Sequence, residues 1–65
     1  MTENLIYKEL INCNIVLDQV CTNGTFKYII YLEYPSMNIY NEIHASFYDY
    51  EEARKEFWRV VRSYE

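Results

Sequence analysis

The chain is poor in the residues that punctuate or decorate more elaborate proteins. It has one glycine, one proline, one histidine and one tryptophan among 65 residues. The single histidine, His44, has only Glu42 as a companion, too few ligands for a metal site. The two cysteines, Cys13 and Cys21, match no zinc spacing. If they share a strand they lie about 26 Å apart, far beyond the ~7 Å a disulfide spans. They read as reduced thiols, which places the chain in the cytoplasm. No apolar run approaches the ~20 residues of a membrane span, and residues 1–4, Met-Thr-Glu-Asn, have neither the basic nor the apolar region of a signal peptide. Cations are also scarce, six against ten acids for a net charge of −4. That disfavours direct binding to nucleic acid and to anionic membranes, both of which need clustered Lys and Arg. It suits instead a protein partner with a basic surface, such as a groove that ordinarily holds nucleic acid.

What the chain has in abundance is apolar and aromatic surface. Half its residues are apolar and eight are tyrosines, so it folds. A length of 65 residues implies a single α+β domain over 1–65 whose core supplies roughly 3–5 kcal/mol, with little room for a buried catalytic cleft. The lean toward Asn, Ile, Lys, Tyr and Phe is what an AT-rich genome encodes, and points to a bacterium of that type or one of its phages.

The strongest local signal is Thr22-Asn23-Gly24-Thr25. Asn-Gly between apolar runs makes a type I′ hairpin turn, which needs positive φ at both central residues. Folding there pairs Cys21 with Phe26, Gln19 with Tyr28, Leu17 with Ile30, Ile15 with Leu32 and Cys13 with Tyr34 on one largely apolar face. The other face carries Val20 with Lys27, Asp18 with Ile29, Val16 with Tyr31 and Asn14 with Glu33. A slip of one residue would scramble this segregation. Pro35-Ser36-Met37-Asn38 reads as a second turn. Starting from Tyr34 opposite Ile39, it sets Ile30 against Ile43, Tyr28 against Ala45 and Phe26 against Phe47, with Asn41 as a polar misfit opposite Leu32.

After Asp49, a residue suited to cap a helix, Glu52 completes a capping box. Tyr50, Ala53, Phe57, Val60, Val61 and Tyr64 then recur at helical spacing as one apolar stripe. Arg54, Lys55, Arg59 and Arg62 fall off the stripe toward solvent, Glu51 and Lys55 form an i,i+4 pair, and Trp58, just off the stripe, either flanks the core or stands as a partly exposed anchor, the first being favoured. The expected fold is therefore α+β, a three-stranded antiparallel meander with a C-terminal helix packed on one face. Residues 1–10 fit either a short helix capped by Thr2 or an extension of the first strand, and strand or mixed structure is the expectation. Were they helical, the order α-β-β-β-α would resemble the double-stranded RNA-binding domain in length and element order. That resemblance would imply nucleic-acid binding. The stretch matching that family's basic patch, Asp49-Tyr50-Glu51-Glu52-Ala53-Arg54-Lys55, is led by acids, so no binding residue carries over.

No catalytic, cofactor or metal site emerges. His44 falls on the solvent face between Glu42 and Ser46, with Asp18 in the same row. Such neighbours are about 7 Å apart on a flat sheet, whereas a triad needs contacts near 3 Å. Glu51, Glu52 and Glu56 belong at a helix N-terminus for stability alone, and the cysteines act as small hydrophobes. The outer sheet face is the candidate partner-binding surface: Val16, Asp18, Ile29, Tyr31, Glu33, Tyr40, Glu42 and His44, with Val20 beside them. It is more apolar than an ordinary solvated sheet face. The expected function is a non-enzymatic protein-binding module, in concrete form a small phage or mobile-element inhibitor of a host nucleic-acid-handling protein, of the anti-CRISPR type. The alternatives are a homodimeric assembly protein, and a nucleic-acid-binding module acting through Arg54, Arg59 and Arg62.

Overall fold

Asn23 and Gly24 have φ of 52° and 78°, the left-handed pair that the I′ turn demands. The pairings expected from that turn are present, from Cys21↔Phe26 through Leu17↔Ile30 to Asn14↔Glu33. Around this hairpin the computed structural model, which describes residues 1–65, builds an open antiparallel sheet. Its strands are β1 (Thr2–Glu9), β2 (Asn14–Thr22), β3 (Thr25–Tyr34) and β4 (Ile39–Phe47), followed by helix α1 (Tyr50–Tyr64). Spatial order equals chain order. The α+β architecture with a C-terminal helix is as expected, but the strands are four rather than three.

The additional strand is β1. It pairs with β2 from Thr2↔Val20 to Glu9↔Asn14, and Met1 extends the ladder by exchanging backbone bonds with Cys21 at 2.9 and 3.2 Å. A short isolated helix is marginal in water, whereas the free edge of β2 offers a row of backbone donors and acceptors to satisfy. The pairing wins, and the α-β-β-β-α order of the RNA-binding resemblance is not formed. One bulge, between Asn4↔Asp18 and Ile6↔Leu17, interrupts the ladder. The Asn4 side chain fills it, its Nδ2 donating to Asp18 Oδ1 at 3.0 Å and lying 3.2 and 3.3 Å from the carbonyls of Ile6 and Leu17.

Between β3 and β4 the expected register holds only at Tyr34↔Ile39. Two bulges in β4 then shift it, giving Leu32↔Glu42, Tyr31↔Ile43, Ile30↔Ala45 and Tyr28↔Phe47. The unbulged register would set Asn41 against buried Leu32 and leave an amide facing the core. It would also strand Phe47 beside Phe26, which is half exposed. The bulged register brings Phe47 against the core instead. Its consequence is that Ile43 moves to the outer face.

On the inner face Cys13, Ile15, Leu17, Ile30 and Leu32 meet Ala53, Phe57, Val60 and Val61 of α1 in one buried cluster. Four of the six stripe residues are thus fully buried, while Tyr64 is 45% exposed and Tyr50 sits edge-on to Tyr28 at 5.6 Å. Trp58 packs edge-on against Phe57 at 5.1 Å and keeps part of its ring in solvent. Asp49 occupies the N-cap position, but its side chain makes no capping bond, so the capping box is not formed. Glu51 pairs with Arg54 at 3.9 Å and not with Lys55.

Phe57 is the largest fully buried side chain. Phe57→Ala should cost about 3–5 kcal/mol, which matches the roughly 3–5 kcal/mol that so small a core supplies. Circular dichroism of that variant should show an unfolded chain at 25 °C, while Phe57→Leu should stay folded with a lowered melting temperature.

Candidate interaction surface

The face of the sheet away from α1 is laid out in rows by the strand registers. One row, Tyr7, Val16, Tyr31 and Ile43, crosses all four strands. Beside it runs a polar row of Glu9, Asn14 and Glu33, and on the other side a mixed row of Asn4, Asp18, Ile29 and Ser46. Tyr7 does more than occupy its own strand. Its hydroxyl donates to Glu33 Oε1 on β3 at 3.3 Å, so its side chain spans β2. Asn14 Nδ2 donates to the same oxygen at 3.2 Å. Beneath this span, Val16 and Asn14 are each only 7% exposed. Partial burial, and after it the nearby Glu33 carboxylate, push the Tyr7 hydroxyl above its ordinary value of 10.0.

Of the eight residues expected on this face, Asp18, Ile29, Tyr31 and Glu33 lie there half-buried, while Tyr40 is 46% exposed in a bulged stretch of β4 where it pairs with no residue of β3. Val16 is on the face but closed off from solvent. Glu42 is not on it: the bulge sets Glu42 opposite core residue Leu32, and its charge is felt by Tyr34 on the helix side. His44 is also displaced. Its Nε2 lies 2.8 Å from Glu56 Oε2 on α1, so the ring reaches around the sheet edge toward the helix. Two residues of the surface were missed, Tyr7 at 52% and Ile43 at 61% exposure. The misfit of Asn41 was the one signal of the bulge that carries Ile43 outward.

Arg59 grips Glu56 with two bonds, Nε to Oε1 at 2.7 Å and Nη2 to Oε2 at 2.6 Å. Together with His44 it holds the Glu56 carboxyl down at about 2. A general acid needs the opposite shift, so this carboxylate braces β4 to α1. Cys13 is buried and Cys21 half-buried, neither is bridged, and burial pushes the Cys13 thiol up, away from the reactive thiolate. Tyr64 and partial burial raise the Tyr34 hydroxyl to about 12. No group of three or more His, Cys, Asp or Glu side chains is gathered to hold a metal. A cleft between residues 9–13 and Tyr64 opens broadly to solvent. No helix is long and apolar enough to cross a membrane.

No protein-family model matches the chain, and neither a curated protein nor a solved structure matches it. A functional reading therefore rests on the chain's own surfaces.

The Glu56 brace has a definite pH dependence. Its folded-state value of about 2 lies below the ordinary 4.5, so the folded chain takes up this proton less readily than the unfolded one. The stabilisation is complete above about pH 4.5 and fades as the pH falls toward about 2. Glu56→Gln should lower stability by about 1 kcal/mol at pH 7, a figure discounted for partial exposure. Urea melts between pH 2 and 7 should show the gap to wild type closing at the acidic end.

Proposed function

We propose that this chain is a non-enzymatic protein-binding module whose working surface is the outer face of the sheet. The observation that carries this reading is the Tyr7–Val16–Tyr31–Ile43 row. It is an apolar band crossing all four strands on the side that α1 leaves uncovered, with Ile43 and Tyr7 more than half exposed. An antiparallel sheet with one face in water ordinarily carries polar residues there. Tyrosine suits such a surface because its ring is apolar and its tip is polar.

Charge narrows the partner. The net charge is −4, and Glu9, Asp18 and Glu33 stand beside or within the apolar band without a Lys or Arg at salt-bridge distance. A basic protein surface complements them. A groove built for nucleic acid is one such surface, and a small inhibitor that occupies it is the concrete form of this proposal.

A second reading has the face covered by another copy of the chain. Face-to-face pairing is favoured over edge pairing, because β1 carries one bulge and β4 two, and bulges blunt edges as templates for strand addition. Nucleic-acid binding through α1 is less supported, since Arg59 is engaged by Glu56 and Arg54 lies beside Glu51.

Ile43→Glu tests the reading, with Tyr31→Glu beside it. Both variants should keep the wild-type melting temperature within a few degrees. Affinity capture from nuclease-treated lysate of the source organism should yield one stoichiometric protein with wild type and none with Ile43→Glu. Capture of the bait alone, with a doubled mass in light scattering that Ile43→Glu halves, would favour the second copy. A monomer at all concentrations that captures nothing would end the proposal.

A further inference from the structure

Resting on the sheet-face reading, we infer that the partner presents an arginine or lysine side chain to Glu33, with its own apolar side chains packed on Tyr31 and Ile43. Glu33 is held by two neutral side-chain donors, where Asp18, the other acid of this face so held, has one, from Asn4. Glu33 Oε1 accepts from Tyr7 and from Asn14, and Asn14 is itself 93% buried by its complement of 7% exposure. Both donors are neutral, so they fix the carboxylate without cancelling its charge. Its Oε2 receives no bond within the chain.

The chain supplies no cation of its own to that oxygen. The three ion pairs of the molecule all involve α1. Lys8 pairs opposite Ile15 on the helix side of the sheet, and the Lys27 ammonium lies 5.9 Å from the centre of the Tyr48 ring. Fixing a glutamate costs side-chain entropy, which this fold meets before any partner arrives. With Oε1 occupied, the open Oε2 offers a cation one fixed acceptor for a charge-assisted bond.

A second copy of this chain fits the feature poorly. Self-pairing brings Glu9 and Glu33 on one side of the apolar row, and Asp18 on the other, toward a face of the same composition, with Lys27 the one cation among the outward residues of β2 and β3. Like charges brought together at an interface cost affinity and exclude the wrong partner. The same carboxylates that disfavour a copy favour a basic surface.

The test separates this inference from the reading it rests on. A photo-crosslinking amino acid in place of Ile43, irradiated in extract of the source organism, identifies the partner and the peptide it contributes; the same group in place of Lys55 on α1 is the control. Binding of the purified partner is then measured for wild type, Ile43→Glu, Glu33→Gln and Glu33→Lys, each first checked for an unchanged melting temperature. Glu33→Gln keeps an Oε1 that Tyr7 and Asn14 can still reach and removes only the charge. The inference predicts a crosslinked peptide containing Arg or Lys, tenfold or greater weakening by Glu33→Gln, and complete loss with Glu33→Lys. Binding abolished by Ile43→Glu but within twofold of wild type for Glu33→Gln overturns the cation while sparing the sheet face. Crosslinking from position 55 alone, from neither position, or only to another copy of the chain overturns both.

Discussion

The constraint from which the rest follows is that one helix must cover a sheet with two faces. Ala53, Phe57, Val60 and Val61 lie on one stripe of α1, and they close one face against Ile15, Leu17, Ile30 and Leu32. Burying each such side chain contributes roughly 1.5–3 kcal/mol before entropy is counted. That suffices for a two-layer domain. Residues 1–65 build no third layer on the opposite face, whose own side chains make it tolerable in water.

The outer face achieves this by a partial roof. Tyr7 reaches from β1 across β2 to Glu33, and Val16 and Asn14 lose their exposure beneath it. Asn4 likewise closes the bulge in β1 with its own amide. The roof ends at β3. Beyond it Ile43 stays open to solvent, because the β4 bulges turn it outward. The same irregularities that bring Phe47 into the core therefore expose Ile43, and the stability of one face is coupled to the stickiness of the other.

Where a local rule had a single solution, the sequence was readable. Asn23-Gly24 admits one tight turn, and alternation on both flanks admits one register, so the β2–β3 hairpin and the helix stripe follow from residues alone. Residues 1–10 were different: apolar positions there fit a helical face and a strand face alike, and the free edge of β2 decides between them through backbone pairing that no local pattern encodes. Bulges are harder still, because each inserts a residue that reverses the facing of everything beyond it. That is why Glu42 and His44, read as members of the outer face, sit opposite Leu32 and against Glu56, and why Ile43 was placed in the core. The candidate surface was thus legible along the central hairpin, in Asp18, Ile29, Tyr31 and Glu33, and lost toward both edge strands.

The acids divide into two kinds once their surroundings are compared. Glu56 is saturated: Arg59 and His44 occupy both its oxygens, and its charge is spent inside the molecule on joining β4 to α1. Glu33 is held more loosely, by neutral donors at 3.2 and 3.3 Å on one oxygen only. If fixing were all that the fold required, a neutral glutamine could accept the same two bonds without leaving an uncompensated charge beside buried Asn14 and Val16. A carboxylate binds those donors more strongly than an amide oxygen would, and it also keeps a charge that no Lys or Arg of the chain pairs with. The surplus charge makes sense where something outside the chain neutralises it, and it stands beside the apolar row that α1 leaves uncovered.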